Sequence, residues 1–255
     1  MRLEVRDLSF AYPKQKPVLD HISMTAKAGE VLGIIGPNGT GKTTFIKCLN
    51  HILTPTEGDV YLDGVSLGRM TGNQLARTMA YVPQFAGRFF PVTVIDTIMM
   101  GRTPYAGSEY SAEDEQIVFD VMREMNLEKF AFRNIGEMSG GERQRVFIAR
   151  AMAQQPKVII LDEPTASLDI HNQLFTLKSI SELARKQNVI IIMIIHDLNL
   201  ASMFCDKLLM LQDGHIFAYG TPGQVITESN IYSMYHVHTA VTMEEKMPYI
   251  RLKKV

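Results

Sequence analysis

The chain has 255 residues, with 26 Lys and Arg against 27 Asp and Glu, a net charge of −1, and a hydrophobic share of 46%. That balance excludes a disordered, collagen-like or coiled-coil protein and shows no basic excess pointing to nucleic acid. The length suits one large domain or two small ones, with room for a sizeable core. Two cysteines, Cys48 and Cys205, are read as reduced thiols rather than a disulfide framework.

In chain order, Arg2 to Val5 alternates polar and apolar residues, and Val31 to Ile35 is a continuous apolar run. Residues 2–35 are therefore expected as strands, the last one buried. Gly36 to Gly41 breaks the pattern, and a helix is expected from about Lys42 to His51. Asp59 to Leu62 reads as another strand, turned by Asp63-Gly64. From about Phe85 to Ile135, Gly and Pro separate helical stretches. One starts at Ser111 with an N-cap and early acids. Its apolar face is Ile117, Val118, Val121, Met122 and Met125. Val158 to Leu161 and Val189 to Ile195 are apolar runs separated by a helix at about 172–187, the pattern of parallel strands joined by crossover helices. His236 to Met243 and Met247 to Leu252 are expected to pair as a closing hairpin. The longest apolar run is strand-length, short of the about 18–20 residues needed to cross a bilayer. The N-terminus also lacks a signal-peptide core. The chain is thus expected to dock on a membrane component rather than to span one.

Three segments carry chemistry. Gly36-Pro37-Asn38-Gly39-Thr40-Gly41-Lys42-Thr43 matches a phosphate-binding loop in its required setting, after a strand and before a helix. Glycines let backbone N–H groups wrap phosphate oxygens, and the helix N-terminus adds free donors. Lys42 would reach the β- and γ-phosphates and the Thr43 hydroxyl would bind Mg²⁺. Val158 to Leu161 ends in Asp162-Glu163, placing acids at the carboxyl end of a parallel strand, where ligands bind. Asp162 suits a Mg²⁺ ligand and Glu163 a general base for water. In Met138-Ser139-Gly140-Gly141-Glu142-Arg143-Gln144-Arg145, Ser139 and Glu142 have capping-box spacing. Gly140 and Gly141 would open the helix start to an anion, which makes sense if it serves a neighbouring molecule's nucleotide.

The segment Ser139-Gly140-Gly141-Glu142-Arg143-Gln144 resembles the signature of ABC-transporter ATP-binding subunits, and the motif order agrees from about Leu3 to Gly223. The resemblance implies an α/β fold: a P-loop ATPase core (1–84 and 156–235) with a mostly parallel central sheet and an N-terminal antiparallel β subdomain. A helical subdomain (85–155) would be inserted, with a C-terminal hairpin (236–255). It implies that Tyr12 stacks on adenine and that Gln84, a Mg²⁺ ligand, is the glutamine linking the site to the helical insert. Asp162 and Glu163 would be the Walker B aspartate and catalytic glutamate, Ser167-Leu168-Asp169 the D-loop, and His196 the switch histidine. Thr44, at the loop's end, and Asp169 join the nucleotide-binding set. Met138 stands where the family more often has leucine, a volume-conserving change.

By this resemblance two copies close head to tail around two ATP molecules, each between Lys42 of one chain and Ser139 of the other. A peripheral homodimer would then sit on the cytoplasmic face of the cell membrane, on two integral membrane permease subunits. A substrate-binding protein would be an indirect partner, and nucleic acid none. Phe90 to Tyr105 resembles the corresponding stretch of metal-chelate importers: iron–siderophore, haem and cobalamin systems. Molybdate, tungstate or another small solute is the alternative cargo. Phe85, Phe89, Phe90, Met99 and Met100 would form either a groove for a partner's short helix or subdomain core. A non-transport ATPase acting on DNA or ribosomes is disfavoured by the charge balance and by the lack of a heptad run between Lys42 and Asp162. A binding module without catalysis is disfavoured because Glu163 and His196 are both present. His236-Val237-His238 places two imidazoles on one strand face, but no third metal ligand is near in sequence.

Overall fold

The computed structural model describes residues 1–84, 91–245 and 247–253. The chain divides into two compact units, Met1–Met70 with Ser181–Val255, and Thr71–Ile180. The first unit opens with β1 (Arg2–Ala11), β2 (Pro17–Lys27), β3 (Val31–Ile35), α1 (Lys42–Leu49), β4 (Glu57–Leu62) and β5 (Val65–Ser66). The second holds α2 (Gly72–Thr78), β6 (Met79–Val82), α3 (Val94–Met99), α4 (Ala112–Glu124), α5 (Gly140–Ala153) and β7 (Val158–Leu161). Helix α6 (Ile170–Gln187) leads back to the first unit. There follow β8 (Ile190–Ile194), α7 (Leu198–Phe204), β9 (Lys207–Gln212), β10 (His215–Gly220), α8 (Pro222–Val225), α9 (Glu228–Tyr235), β11 (Thr239–Glu244) and β12 (Met247–Leu252).

In the first unit β2, β1, β4 and β5 form an antiparallel sheet in that order. The buried positions of β1, among them Leu3, Val5 and Leu8, face its core, and a register shift beside Asp7 (φ 52°) bulges the strand. Strand β3 lies parallel between β8 and β9, with Gly33 opposite both Met193 and Leu208; β10 pairs antiparallel outside β9. Every residue of β3 and β8 is buried, which is why both read as unbroken apolar runs rather than alternating ones.

In the second unit β6 and β7 pair in parallel, Met79 opposite Val158. Helices α3, α4 and α5 bury Val94, Ile98, Val118, Met122, Val146 and Ile148. At their centre Arg102 is 4% exposed and Asp114 5%. The guanidinium donates to Asp114 Oδ1 at 2.7 Å, to the Ala153 carbonyl at 2.8 Å and to Gln155 Oε1 at 3.0 Å. These parts make the α/β fold with mostly parallel strands and helices that the patterning predicts, and the antiparallel N-terminal sheet that the family resemblance implies.

Two expectations are corrected. Helix α1 stops at Leu49 rather than His51, because Asn50 caps it and His51 turns to φ 50°. His236 does not lie in a strand: it caps α9 in the left-handed conformation (φ 56°), and β11 begins only at Thr239. The two imidazoles instead flank Tyr232, His238 stacked at 4.5 Å and His236 edge-on at 6.5 Å. Phe85, Phe89 and Phe90 of the expected groove lie outside the described residues; Met99 is half-buried and Met100 exposed. Among the described residues no helix is long and apolar enough to cross a membrane.

Candidate functional site

The phosphate-loop sequence occupies the turn between β3 and α1 in the first unit. Gly36 has φ +143°, and a Cβ there would sit 2.4 Å from the Leu211 carbonyl oxygen, so only glycine fits. Lys42, 6% exposed, donates from Nζ to the carbonyls of Gly36 (2.8 Å) and Pro37 (2.7 Å). The Thr40 hydroxyl donates to the Pro37 carbonyl at 3.0 Å. The ammonium is thus folded back over its own loop, which is closed by internal bonds. Helix α1 starts at Gly41 (φ 96°) with no side-chain cap, leaving first-turn N–H groups facing the loop. Thr43 is exposed and Thr44 buried. Tyr12, half-buried, rests edge-on against Phe10 at 4.9 Å, its hydroxyl 3.4 Å from Thr44 Oγ1. His196, exposed, follows the buried Ile195 and immediately precedes Asp197, the N-cap of α7.

The second unit carries the carboxylates. Asp162, 5% exposed, follows β7, and its backbone N–H donates to the Val82 carbonyl at 2.9 Å. The Tyr81 hydroxyl donates to Asp162 Oδ2 at 3.3 Å. Burial foremost, with the Asp162 charge added, pushes the Tyr81 phenol well above its usual range, so it stays a donor. Glu163 adopts φ 52°, a conformation costly for a non-glycine residue and concentrated at functional sites. Gln84 Nε2 donates to Glu163 Oε2 at 2.7 Å. Gln84 and Glu163, expected to act on one nucleotide, are therefore brought into direct contact.

The signature segment opens α5. Ser139 Oγ accepts from the Glu142 N–H at 3.3 Å, while Glu142 Oε2 accepts from the Ser139 N–H and hydroxyl, both at 2.9 Å. The Ser139 backbone N–H is the chief cause holding the Glu142 carboxyl below its usual range. Gly140 is exposed and Gly141 buried. A Cβ on Gly141 would come within 2.9–3.2 Å of the Asn172 side-chain amide. That amide is itself bonded to Asp169 Oδ1 (3.1 Å) and Oδ2 (3.0 Å). The Asn172 backbone N–H, the largest cause, lowers the Asp169 carboxyl. Asn172 thus packs closely against Gly141 at the start of α5 while bonding Asp169. Sequence reasoning missed both Asn172 and Tyr81. For Asn172 the signal was an amide three residues after Asp169, a helix-start spacing; for Tyr81 it was the aromatic three residues before Gln84.

Among the described residues no cluster of three or more His, Cys, Asp and Glu could hold a metal. Of the residues expected to meet Mg²⁺, Thr43 lies in the first unit and Gln84 and Asp162 in the second; each has an oxygen donor, the kind a hard cation takes. Both cysteines are free and buried. Burial pushes the Cys48 thiol up to about 12, which leaves it inert.

Comparison with known proteins gives the family. The sequence model of the ABC transporter family matches residues 19–166. The chain is 40% identical over 250 residues to an uncharacterized ABC transporter ATP-binding protein of Methanocaldococcus jannaschii, covering 98% of this chain and 97% of that protein. It is 37% identical to the cobalamin import ATP-binding protein of Halobacterium salinarum over 88% of this chain, spanning 56% of that longer relative. Among solved structures, one described as an inward-facing metal-chelate type ABC transporter superimposes with a TM-score of 0.85 at 26% identity, covering 99% of this chain and 97% of that one.

Proposed function

The chain belongs to the ABC transporter family, and from that premise we propose that this ATPase powers import of a metal chelate, of the iron–siderophore, haem or cobalamin type, through separate membrane subunits. The observation that carries the catalytic half is Gln84 bonded to Glu163 at 2.7 Å in the same unit as the capped Ser139 helix start. The cargo class rests on the cobalamin-importing relative and the metal-chelate transporter neighbour.

In this reading two copies close head to tail around two ATP molecules. Backbone N–H groups of the 36–43 loop, of which Pro37 has none, and Lys42 bind the phosphates, and Tyr12 stacks on adenine. Ser139, Gly140 and Gly141 of the partner's α5 cover the γ-phosphate, and Asp169 belongs to the same interface. Thr43, Gln84 and Asp162 would hold Mg²⁺, which would neutralise phosphate charge. Glu163 accepts a proton from the attacking water and His196 holds the γ-phosphate. ADP leaves with the bridging oxygen, and the protein's task is positioning and charge stabilisation. Closure does work because ATP binds the closed dimer better than the open one. Two permease subunits on the cytoplasmic face of the membrane supply the path, and a substrate-binding protein delivers the cargo.

The test is ATP turnover of the wild type and Glu163→Gln, purified from native membranes in mild detergent. A general base contributes about 10²–10⁴-fold, so the variant should lose at least about 100-fold in hydrolysis while still binding nucleotide. A multi-span protein should co-purify with the wild type. Undiminished hydrolysis removes Glu163 from its role; recovery of ribosomes or DNA instead overturns the transport reading.

A further inference from the structure

The C-terminal hairpin is tied to the loop of His196 by one side chain. In the antiparallel pair β11–β12, Ile250 stands opposite Val241. A residue in such a pair either exchanges both backbone bonds with its partner or turns both outward. Ile250 turns them outward, and Asn199 takes both: Asn199 Oδ1 accepts from the Ile250 N–H at 2.8 Å, and Nδ2 donates to its carbonyl at 3.2 Å. The amide thus acts as a short third strand on the hairpin's edge. Asn199 sits in the first turn of α7, where its own N–H donates to Asp197 Oδ1 at 2.8 Å. Asp197 follows His196 directly.

We propose that Asn199 is a positioning residue for His196: by clasping Ile250 it fixes the α7 start against the hairpin and so sets where the imidazole stands. This rests on the reading above, in which His196 touches the γ-phosphate. A small misplacement of such a group lowers turnover without weakening substrate binding, which other residues supply.

The measurement is steady-state ATP hydrolysis by the full chain with its co-purified membrane partners. Asn199→Ala should lower kcat about tenfold with KM for ATP within about twofold. In a His196→Ala background the same change should cost nothing further, because both act through one group. Asn199→Asp keeps the acceptor for the Ile250 N–H and loses the donor; it tests the same point should the alanine variant fail to fold, and should also lower kcat with KM held. A tenfold loss that persists without His196 means a merely structural role and overturns the inference, as does an unchanged kcat in a wild type that hydrolyses ATP. A wild type without hydrolysis brings down the underlying reading and this one with it.

Discussion

Arg102→Met tests what holds the helical unit together. Methionine matches the arginine stem but leaves the buried Asp114 carboxylate without its cation. Removing one partner of a buried ion pair costs about 3–5 kcal/mol. Here Asp114 keeps the Ser111 N–H at 2.9 Å and hydroxyl at 2.7 Å, so the lower end applies, about 3 kcal/mol. For a chain of this length that shifts Tm down by roughly 6–12 °C. The pH dependence adds a second signature. The Ser111 backbone N–H, and after it the Arg102 guanidinium, hold the Asp114 carboxyl at about 2, against an ordinary 3.8. A depressed carboxylate contributes stability that is full above its unfolded pKa and is lost as pH falls toward its folded one. Wild-type stability should therefore drop between pH of about 4 and 2, and the variant should drop less steeply, having lost part of that contribution already. Thermal unfolding followed by circular dichroism at pH 7, and urea unfolding across the acid range, read the two. A Tm shift under about 2 °C with the wild-type acid profile would refute the reasoning.

Gly33→Ala places a Cβ 2.6 Å from Cys205 Sγ and 2.8 Å from Leu208 Cδ2. Overpacking of this kind costs about 1–3 kcal/mol, and Cys205→Ala should restore part of it in the same denaturation assay. Ser139→Ala removes the cap of α5 and the hydroxyl that bonds Glu142. It should cost about 1 kcal/mol of stability and lower ATP turnover, with nucleotide binding by the isolated protomer unchanged by equilibrium dialysis.

The phosphate loop was legible because its glycines, lysine and flanking strand must all appear in order for the backbone to wrap an anion. The apolar runs of β3, β7 and β8 were legible because strands buried on both faces tolerate little else. The N-cap at Ser111 and the capping box at Ser139 were legible from residue type and spacing, and both form. Other features depend on what folding brings together. Nothing local marks Arg102 and Asp114 as a buried pair; packing of the helices brings them against each other. His236 was read as a strand residue because its left-handed cap is dictated by the end of α9 and by Tyr232, which local alternation does not encode. The pairing of Asn172 with Asp169 sits at a recognisable spacing. What makes it matter is Gly141, about thirty residues earlier in the chain, whose missing side chain gives the amide its space.

Helix α1 shows what a ligand mouth costs its own scaffold. Helices α2, α4 and α5 each open with a capping box; α1 opens on Gly41 without a side-chain cap. At Gly41 φ is +96° and a Cβ would come 3.0 Å from the Val18 carbonyl oxygen, so a capping serine or aspartate is strained there and the first-turn donors receive no cap from within the chain. The donors are kept available, and the short helix is secured from its other side, where Phe45, Ile46 and Leu49 are wholly buried. The uncapped start and the buried side chains of this eight-residue helix are thus set by different residues, so its core can be repacked at Phe45, Ile46 and Leu49 while the Gly41 start stays as it is.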